Sequence, residues 1–145
     1  MGSPMLAHKP TTLADLLFLR AEATPDLRLF TFLPDAPDAP PIHKTVRDLA
    51  EDVRALAGRL QADFPASSRM LLLFPNDLDY VTAFCACLAA GMVAMPAQSP
   101  RVHRAMPRLE GTAADAQVAC ALTNAALRDQ QASLCLEGGL LARVP

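Results

Sequence analysis

The feature that most constrains this chain is a pair of apolar runs of strand length on either side of a segment with helical periodicity. The two runs cover residues 70–74 and 92–95. The segment between them repeats apolar residues every three or four positions: Leu78, Val81, Cys85 and Leu88. Gly91 follows where a helix end requires a left-handed residue. Strand, helix and strand within 26 residues predict a βαβ unit with parallel strands and a right-handed crossover.

The flanking segments extend this unit on both sides. Downstream, the pattern predicts a helix from Pro107 to about Asp115, a third buried strand over residues 118–122, and a helix from Asn124 capped by Thr123. Upstream, capping boxes and apolar periodicity predict helices over residues 12–23 and 45–64. Between them, strand formers at residues 29–33 and 42–45 predict a hairpin. We therefore predict an α/β fold with three α/β/α layers and a mostly parallel sheet built from βαβ units, preceded by a helix and a β-hairpin.

The charge of the chain argues against nucleic acid as a partner. The net charge is −2, with 13 basic and 15 acidic residues, so no global field attracts a polyanion. A local basic group at Arg101, Arg104 and Arg108 lacks interleaved aromatic residues that would stack on bases. We interpret it as a solvated helix entry. No apolar run reaches the ~18 residues that a membrane span requires, and we expect no membrane span.

The four cysteines predict core residues instead of a metal or redox site. Cys85, Cys87, Cys120 and Cys135 lie in apolar stretches and lack Cys-x-x-Cys spacing. The N-terminus carries no basic region followed by an apolar run, so no signal peptide is predicted. We expect a reducing, cytoplasmic setting.

Residue patterns that carry chemistry are missing from the chain. The turn after the first buried strand, residues 75–77, contains an aspartate and no glycine, so backbone amides cannot cradle a phosphate there. No serine lies in a nucleophile motif, and no histidine has a visible partner: Ser67, Ser68, Ser99, His8, His43 and His103. Asp77 and Asp79 are interpreted as caps of a helix N-terminus. We therefore predict no catalytic, cofactor-binding or metal-binding residue in this chain, and the residues that bind substrate are unknown.

Several segments, in the order in which they occur, resemble the opening of fatty acyl-AMP ligases, which belong to the adenylate-forming superfamily. The resemblance spans residues 11–127, and its motifs are Thr12-Leu-Ala-Asp-Leu-Leu17, Phe30-Thr-Phe-Leu33, Arg69-Met-Leu-Leu-Leu-Phe-Pro75, Leu78-Asp-Tyr-Val-Thr-Ala-Phe84 and Val93-Ala-Met-Pro96. Residues 83–88 and 107–109 are similar to the fatty acyl branch in particular. Four residues depart from those usual in the family: Val46, Ala89, Gln98 and Ser99.

The resemblance implies that the parent enzyme activates a fatty acid with ATP and Mg²⁺ as an acyl-adenylate and transfers it to an acyl carrier protein. In that family the phosphate loop, the metal site and the catalytic lysine lie downstream of the matched region, so it implies a silent N-terminal fragment with no cofactor of its own. We expect residues 1–10 to be a tag or disordered, residues 11–136 to be one N-terminal subdomain, and residues 137–145 to be a tail at a truncation point. The remainder of the ligase is the implied partner.

A second hypothesis remains open at this stage. The chain would then be a stand-alone interaction module that kept the ligase fold and binds a carrier protein or self-associates, because an open sheet edge invites pairing. The coding sequence after residue 145 discriminates between the two hypotheses.

Overall fold

The computed structural model describes residues 9–36, 38–97 and 106–132. This part of the chain forms five helices and five strands. In chain order they are α1 (Leu13–Ala23), β1 (Arg28–Phe32), β2 (Ile42–Thr45), α2 (Val46–Asp63), β3 (Arg69–Leu73), α3 (Leu78–Ala89), β4 (Val93–Ala97), α4 (Met106–Asp115), β5 (Cys120–Leu122) and α5 (Ala125–Ala132).

The centre of the fold is a three-stranded parallel sheet. Its strand order is β4-β3-β5, so β3 is the middle strand. Leu71 of β3 is in register with Met95 on one side and with Ala121 on the other. The predicted βαβ unit and its parallel strands are confirmed.

Both faces of this sheet are covered by helices because alternate residues of β3 enter different cores. Met70 and Leu72 pack with buried residues of α2 and α3. Leu71 and Leu73 point the other way and pack with Leu109 of α4. These four side chains of β3 are all buried, as expected for a continuous apolar run between two layers. The predicted three-layer α/β/α arrangement is confirmed.

The N-terminal part contains the predicted helix and hairpin. Strands β1 and β2 pair in an antiparallel, two-stranded sheet. Helices α1 and α2 begin at capping boxes made by Thr12 with Asp15 and by Thr45 with Asp48. Hydrogen bonds from Thr11, and then from Thr12, hold the pKa of the Asp15 carboxyl below the ordinary 3.8. The hydroxyl and amide of Thr45 lower the pKa of Asp48 in the same way. Each carboxylate stabilises the fold fully above pH 3.8, and this contribution is lost as the pH falls through the lowered pKa.

The apolar stripe predicted for helix α3 is not the most buried face of the helix. The predicted stripe contains Leu88, which is exposed, together with residues that are only half-buried: Leu78, Val81 and Cys85. The fully buried side chains of the helix are small ones: Ala83, Ala86 and Cys87. Val81, Phe84 and Cys85 are half-buried and pack against the same core. The helix is apolar almost all round, so periodicity alone could not select its inner face. Small side chains let a helix pack closely, and they line the core here.

Two helices end in the same way before entering a parallel strand. At the end of α3, Gly91 has φ +73° and Met92 N–H donates to the Cys87 carbonyl at 2.8 Å. At the end of α4, Gln117 has φ 51° and Val118 N–H donates to the Ala113 carbonyl at 3.1 Å. Both are Schellman motifs, in which a left-handed residue turns the chain out of the helix. The predicted cap at Gly91 is confirmed.

Gly91→Ala should lower the free energy of unfolding by about 1–2 kcal/mol through backbone strain alone. A Cβ at this position would meet no atom within 4 Å, so a steric clash does not contribute. Gly58, inside α2, is the matched control because its Cβ would also meet nothing within 4 Å. There we expect Gly58→Ala to stabilise the protein by about 0.5–1 kcal/mol. Urea unfolding measures both, and equal signs for the two variants would contradict the expectation.

Candidate functional site

The strand order creates a topological switch point at the carboxyl edge of the sheet. From β3 the chain crosses to β4 on one side, and it then returns to β5 on the other side of β3. In open α/β sheets, ligands bind in the crevice outside the carboxyl ends of two strands whose connections diverge in this way. Here that crevice lies after β3 and β5, where α3 and α5 begin.

Two side chains occupy this crevice and bind each other. Asp77 caps α3, since its Oδ1 accepts a hydrogen bond from Tyr80 N–H at 3.0 Å. Asn124 caps α5, since its Oδ1 accepts from Leu127 N–H at 2.9 Å. The Asn124 Nδ2 group then donates to Asp77 Oδ2 at 3.0 Å. The Asp77–Asn124 pair therefore ties the two helix N-termini together across the switch point.

This pair decides what the crevice can bind. A helix N-terminus attracts anions through its free amides and its dipole, but here each N-terminus is capped by a side chain of the protein itself. The Asp77 carboxylate adds a negative charge where a phosphate would lie. The interpretation of Asp77 as a cap is confirmed, and Asp79 is exposed in the first turn of α3, where it complements the helix dipole.

The predicted cap at Thr123 is wrong, because Asn124 takes that role and α5 begins at Ala125. The Thr123 hydroxyl is buried and has no hydrogen-bond partner among the described residues. Asparagine ranks above threonine as an N-cap, so the residue types alone could have favoured the correct cap.

The cysteines in the described part of the chain are core residues. Cys87 and Cys120 are buried, and Cys85 is half-buried. Burial raises the pKa of all three thiols, and for Cys87 it reaches about 11, with Cys120 as a second cause. A thiol with so high a pKa is a poor nucleophile at neutral pH. Cys135 lies outside the described residues.

The other polar residues that were considered as candidates from the sequence have structural roles where the structure describes them. His43 was expected to lack a partner, which is wrong: Thr31 Oγ1 lies 2.9 Å from His43 Nδ1, across the paired strands of the hairpin. Ser67 has φ 65°, and its N–H donates to the Gly91 carbonyl. Several other candidates lie outside the described residues: His8, Ser99, His103, Arg101 and Arg104.

Lys44 joins three elements and is not free to bind a ligand. Its Nζ lies 2.6 Å from Asp52 Oδ2 of α2 and donates to Thr82 Oγ1 of α3 at 3.0 Å. The Lys44 side chain is only 15% exposed. The Asp52 side chain is 53% exposed, so solvent screens the ion pair between β2 and α2, while the hydrogen bond to Thr82 links β2 to α3.

Two further observations concern metals and membranes. Within residues 9–36, 38–97 and 106–132, no three His, Cys, Asp or Glu side chains lie close enough together to hold a metal ion. Over the same ranges, none of the helices combines the length and hydrophobicity that crossing a membrane requires.

Comparison with known proteins places this structure in a family. Residues 17–140 match the family model described as AMP-binding enzyme. The chain belongs to the AMP-binding enzyme family. It is 36% identical over 117 residues to a medium-chain-fatty-acid–[acyl-carrier-protein] ligase, JamA, from Moorena producens, and this match covers 79% of the chain and 20% of the relative.

Solved structures of AMP-binding enzymes show the same fold. The crystal structure of a fatty acid AMP ligase from Legionella pneumophila superposes with a TM-score of 0.78 and 27% identity over 84% of the chain, which is 21% of that protein. A fatty acyl-adenylate ligase from L. pneumophila, solved with acyl adenylate and pyrophosphate, gives a TM-score of 0.80 and 25% identity over 94% of the chain and 24% of that protein. The resemblance to the N-terminal part of fatty acyl-AMP ligases is confirmed. The chain spans 20–24% of the length of these relatives.

Proposed function

We propose that this chain is the N-terminal scaffold of a fatty acyl-AMP ligase, which activates a fatty acid with ATP as an acyl-adenylate and transfers the acyl group to an acyl carrier protein. The observation that carries this proposal is the 36% identity to a ligase named for a medium-chain fatty acid and an acyl carrier protein. The fold supports it, because the likeness to two fatty acyl-adenylate-forming ligases extends over most of the chain.

In this proposal the scaffold does not itself hold ATP and Mg²⁺. ATP presents a polyphosphate that needs free amides or cations, and Mg²⁺ needs several oxygen ligands. At the switch point, both helix N-termini are capped and the facing side chain is the Asp77 carboxylate. The residues present here therefore do not fit the nucleotide, and ATP and Mg²⁺ would be held by parts of the ligase beyond this chain.

What the scaffold contributes is rigidity. The central strand β3 is buried on both faces, and Lys44 and the Asp77–Asn124 pair fix the surrounding helices to one another. A rigid sheet positions the segments that follow it, which is how a fold can support catalysis without touching the substrate.

The proposal is tested with two polypeptides. The first is the full product of the gene that encodes this chain, and the second is the 145-residue chain alone. We expect fatty-acid-dependent exchange of pyrophosphate into ATP from the full product only. We also expect calorimetry of the chain alone to show no ATP binding with a Kd below about 1 mM. Exchange by the chain alone, or its absence from a folded full product with fatty acids of every length tested, would contradict the proposal.

The interaction module is the second candidate, and the exposed apolar side chains of the hairpin favour it. Leu29, Leu33 and Ile42 are all exposed. This candidate requires that the 145-residue chain be expressed as such and bind a carrier protein. A stop codon directly after residue 145 would favour it over the ligase scaffold.

A further inference from the structure

A broad apolar cleft opens between α1, β1 and α3. Its volume is about 580 Å³, and among the thirteen described residues that line it only Arg20 is charged. Five large apolar side chains in its wall remain exposed: Leu13, Leu16, Leu27, Leu29 and Phe30. Two half-buried side chains of α3 that pack against the core, Val81 and Cys85, also lie in this wall.

Strand β1 of the hairpin beside the cleft is more exposed to water than its apolar composition would lead us to expect. Four of the five residues of β1 are exposed, although Leu29 and Phe30 are among them. Among the described residues, β1 and β2 pair only with each other. A two-stranded sheet depends on packing against other elements for its stability. Lys44 supplies such contacts on the β2 side, but β1 leaves a contiguous apolar surface in water, and such a surface marks a place where another molecule binds. The physical expectation is that something covers this face.

The chemistry of the cleft favours a polypeptide over a small molecule. Small-molecule sites are also mostly apolar, but they add a small number of precisely placed polar groups that converge on the ligand and fix its orientation. Among the described lining residues, Arg20 and Tyr80 are the ones with nitrogen or oxygen atoms in their side chains, and they lie on different helices. A packed protein interface needs apolar area and shape and has few charges at its centre. The cleft meets that requirement.

We propose that this cleft is an internal interface of the ligase, covered by polypeptide that follows this chain in the complete enzyme. The inference rests on the proposed function. Its support is the coincidence of an uncovered apolar face with relatives of which the chain spans only 20–24%. The covering segment inserts apolar side chains between α1 and α3 and shields β1.

The test compares one substitution in two polypeptides. Leu16→Asp places a charge in the cleft, where Leu16 is 38% exposed. Leu88→Asp is the matched control, because Leu88 is 37% exposed, also lies on a helix, and is absent from the cleft wall. Each variant is made in the 145-residue chain and in the full product of its gene, and Tm is measured by scanning fluorimetry. Leu16→Ser accompanies them and takes the place of Leu16→Asp if the aspartate variant of the chain does not fold.

In the 145-residue chain, we expect both aspartate variants to shift Tm by similar small amounts, about 3 °C or less, because both leucines are already in contact with water. In the full product, Leu16→Asp should lower Tm by at least about 8 °C, since the charge would be buried without a partner. In the full product, Leu88→Asp should change Tm by the same small amount as in the 145-residue chain.

Four results would contradict the proposal that the cleft is an internal interface. Leu16→Asp could act equally in both polypeptides, or the gene could stop at residue 145. Dodecanoate could raise the Tm of the wild-type chain but not of Leu16→Asp, which would make the cleft a lipid site. Sedimentation could show a dimer of the chain that Leu16→Asp dissociates, which would make a second copy the occupant. Pyrophosphate exchange, measured on the same samples, tests the proposed function separately, because an inactive full product can still show the selective loss at Leu16.

Discussion

Leu71→Ala and Leu72→Ala should each lower the free energy of unfolding by about 2–5 kcal/mol. Both side chains are fully buried on β3, but Leu71 packs against the α4 layer and Leu72 against the α2 and α3 layer. A leucine truncated in a filled core loses its transfer free energy and leaves a cavity. A typical domain is stable by only 5–15 kcal/mol, so each variant should be close to unfolding at 37 °C.

The two substitutions together test the three-layer arrangement. If only one face of the sheet were covered, one of the two substitutions would lower the free energy of unfolding by much less than the other. Leu88→Ala is the control for the chemical change, because Leu88 is exposed, and we expect it to cost less than about 1 kcal/mol. Urea unfolding followed by circular dichroism gives all three values. A loss below about 1 kcal/mol for either β3 variant would contradict the described packing.

Asp77→Ala should lower the free energy of unfolding by about 2 kcal/mol, a large effect for a polar side chain. Roughly 1 kcal/mol comes from the lost cap of α3, and the remainder comes from the lost hydrogen bond to Asn124. Asp79→Ala is the control, because Asp79 only complements the dipole in the first turn. There we expect a change within about 0.5 kcal/mol.

A double-mutant cycle isolates the bond between the two helix N-termini. We expect Asp77→Ala and Asn124→Ala to be non-additive by about 0.5–1.5 kcal/mol, since each removes the same hydrogen bond. Additive losses would show that the two caps act independently and that the switch point is not tied together.

The sheet and the long helices could be predicted because their signals are local. Residues 70–74 form an unbroken apolar run, and α2 shows both a capping box and a clear apolar stripe through Leu49, Val53 and Leu60. Each of these signals lies within one element and agrees with the packing that the structure shows. The end of α3 was predictable for the same reason, because Gly91 is the residue type that its φ requires.

The features that could not be predicted depend on contacts between distant segments. Asp77 and Asn124 are separated by 47 residues, and only the strand order β4-β3-β5 brings them together. The most buried face of α3 could not be predicted, because apolar residues surround the helix and the degree of burial of each side depends on what packs against it. Thr31, the partner of His43, was missed because cross-strand register follows from the hairpin geometry.

The central position of β3 has a consequence for the chain as it leaves the ribosome. Both neighbours of β3 are made after it, and the last residue of β5 lies about 50 residues beyond Leu73. At roughly 5–20 residues per second, translation takes about 3–10 s to supply the second neighbour. Throughout that interval an apolar strand has an unpaired edge, which other nascent chains can join. The speed of decoding across residues 74–122 therefore sets how long the polypeptide is open to aggregation before it folds.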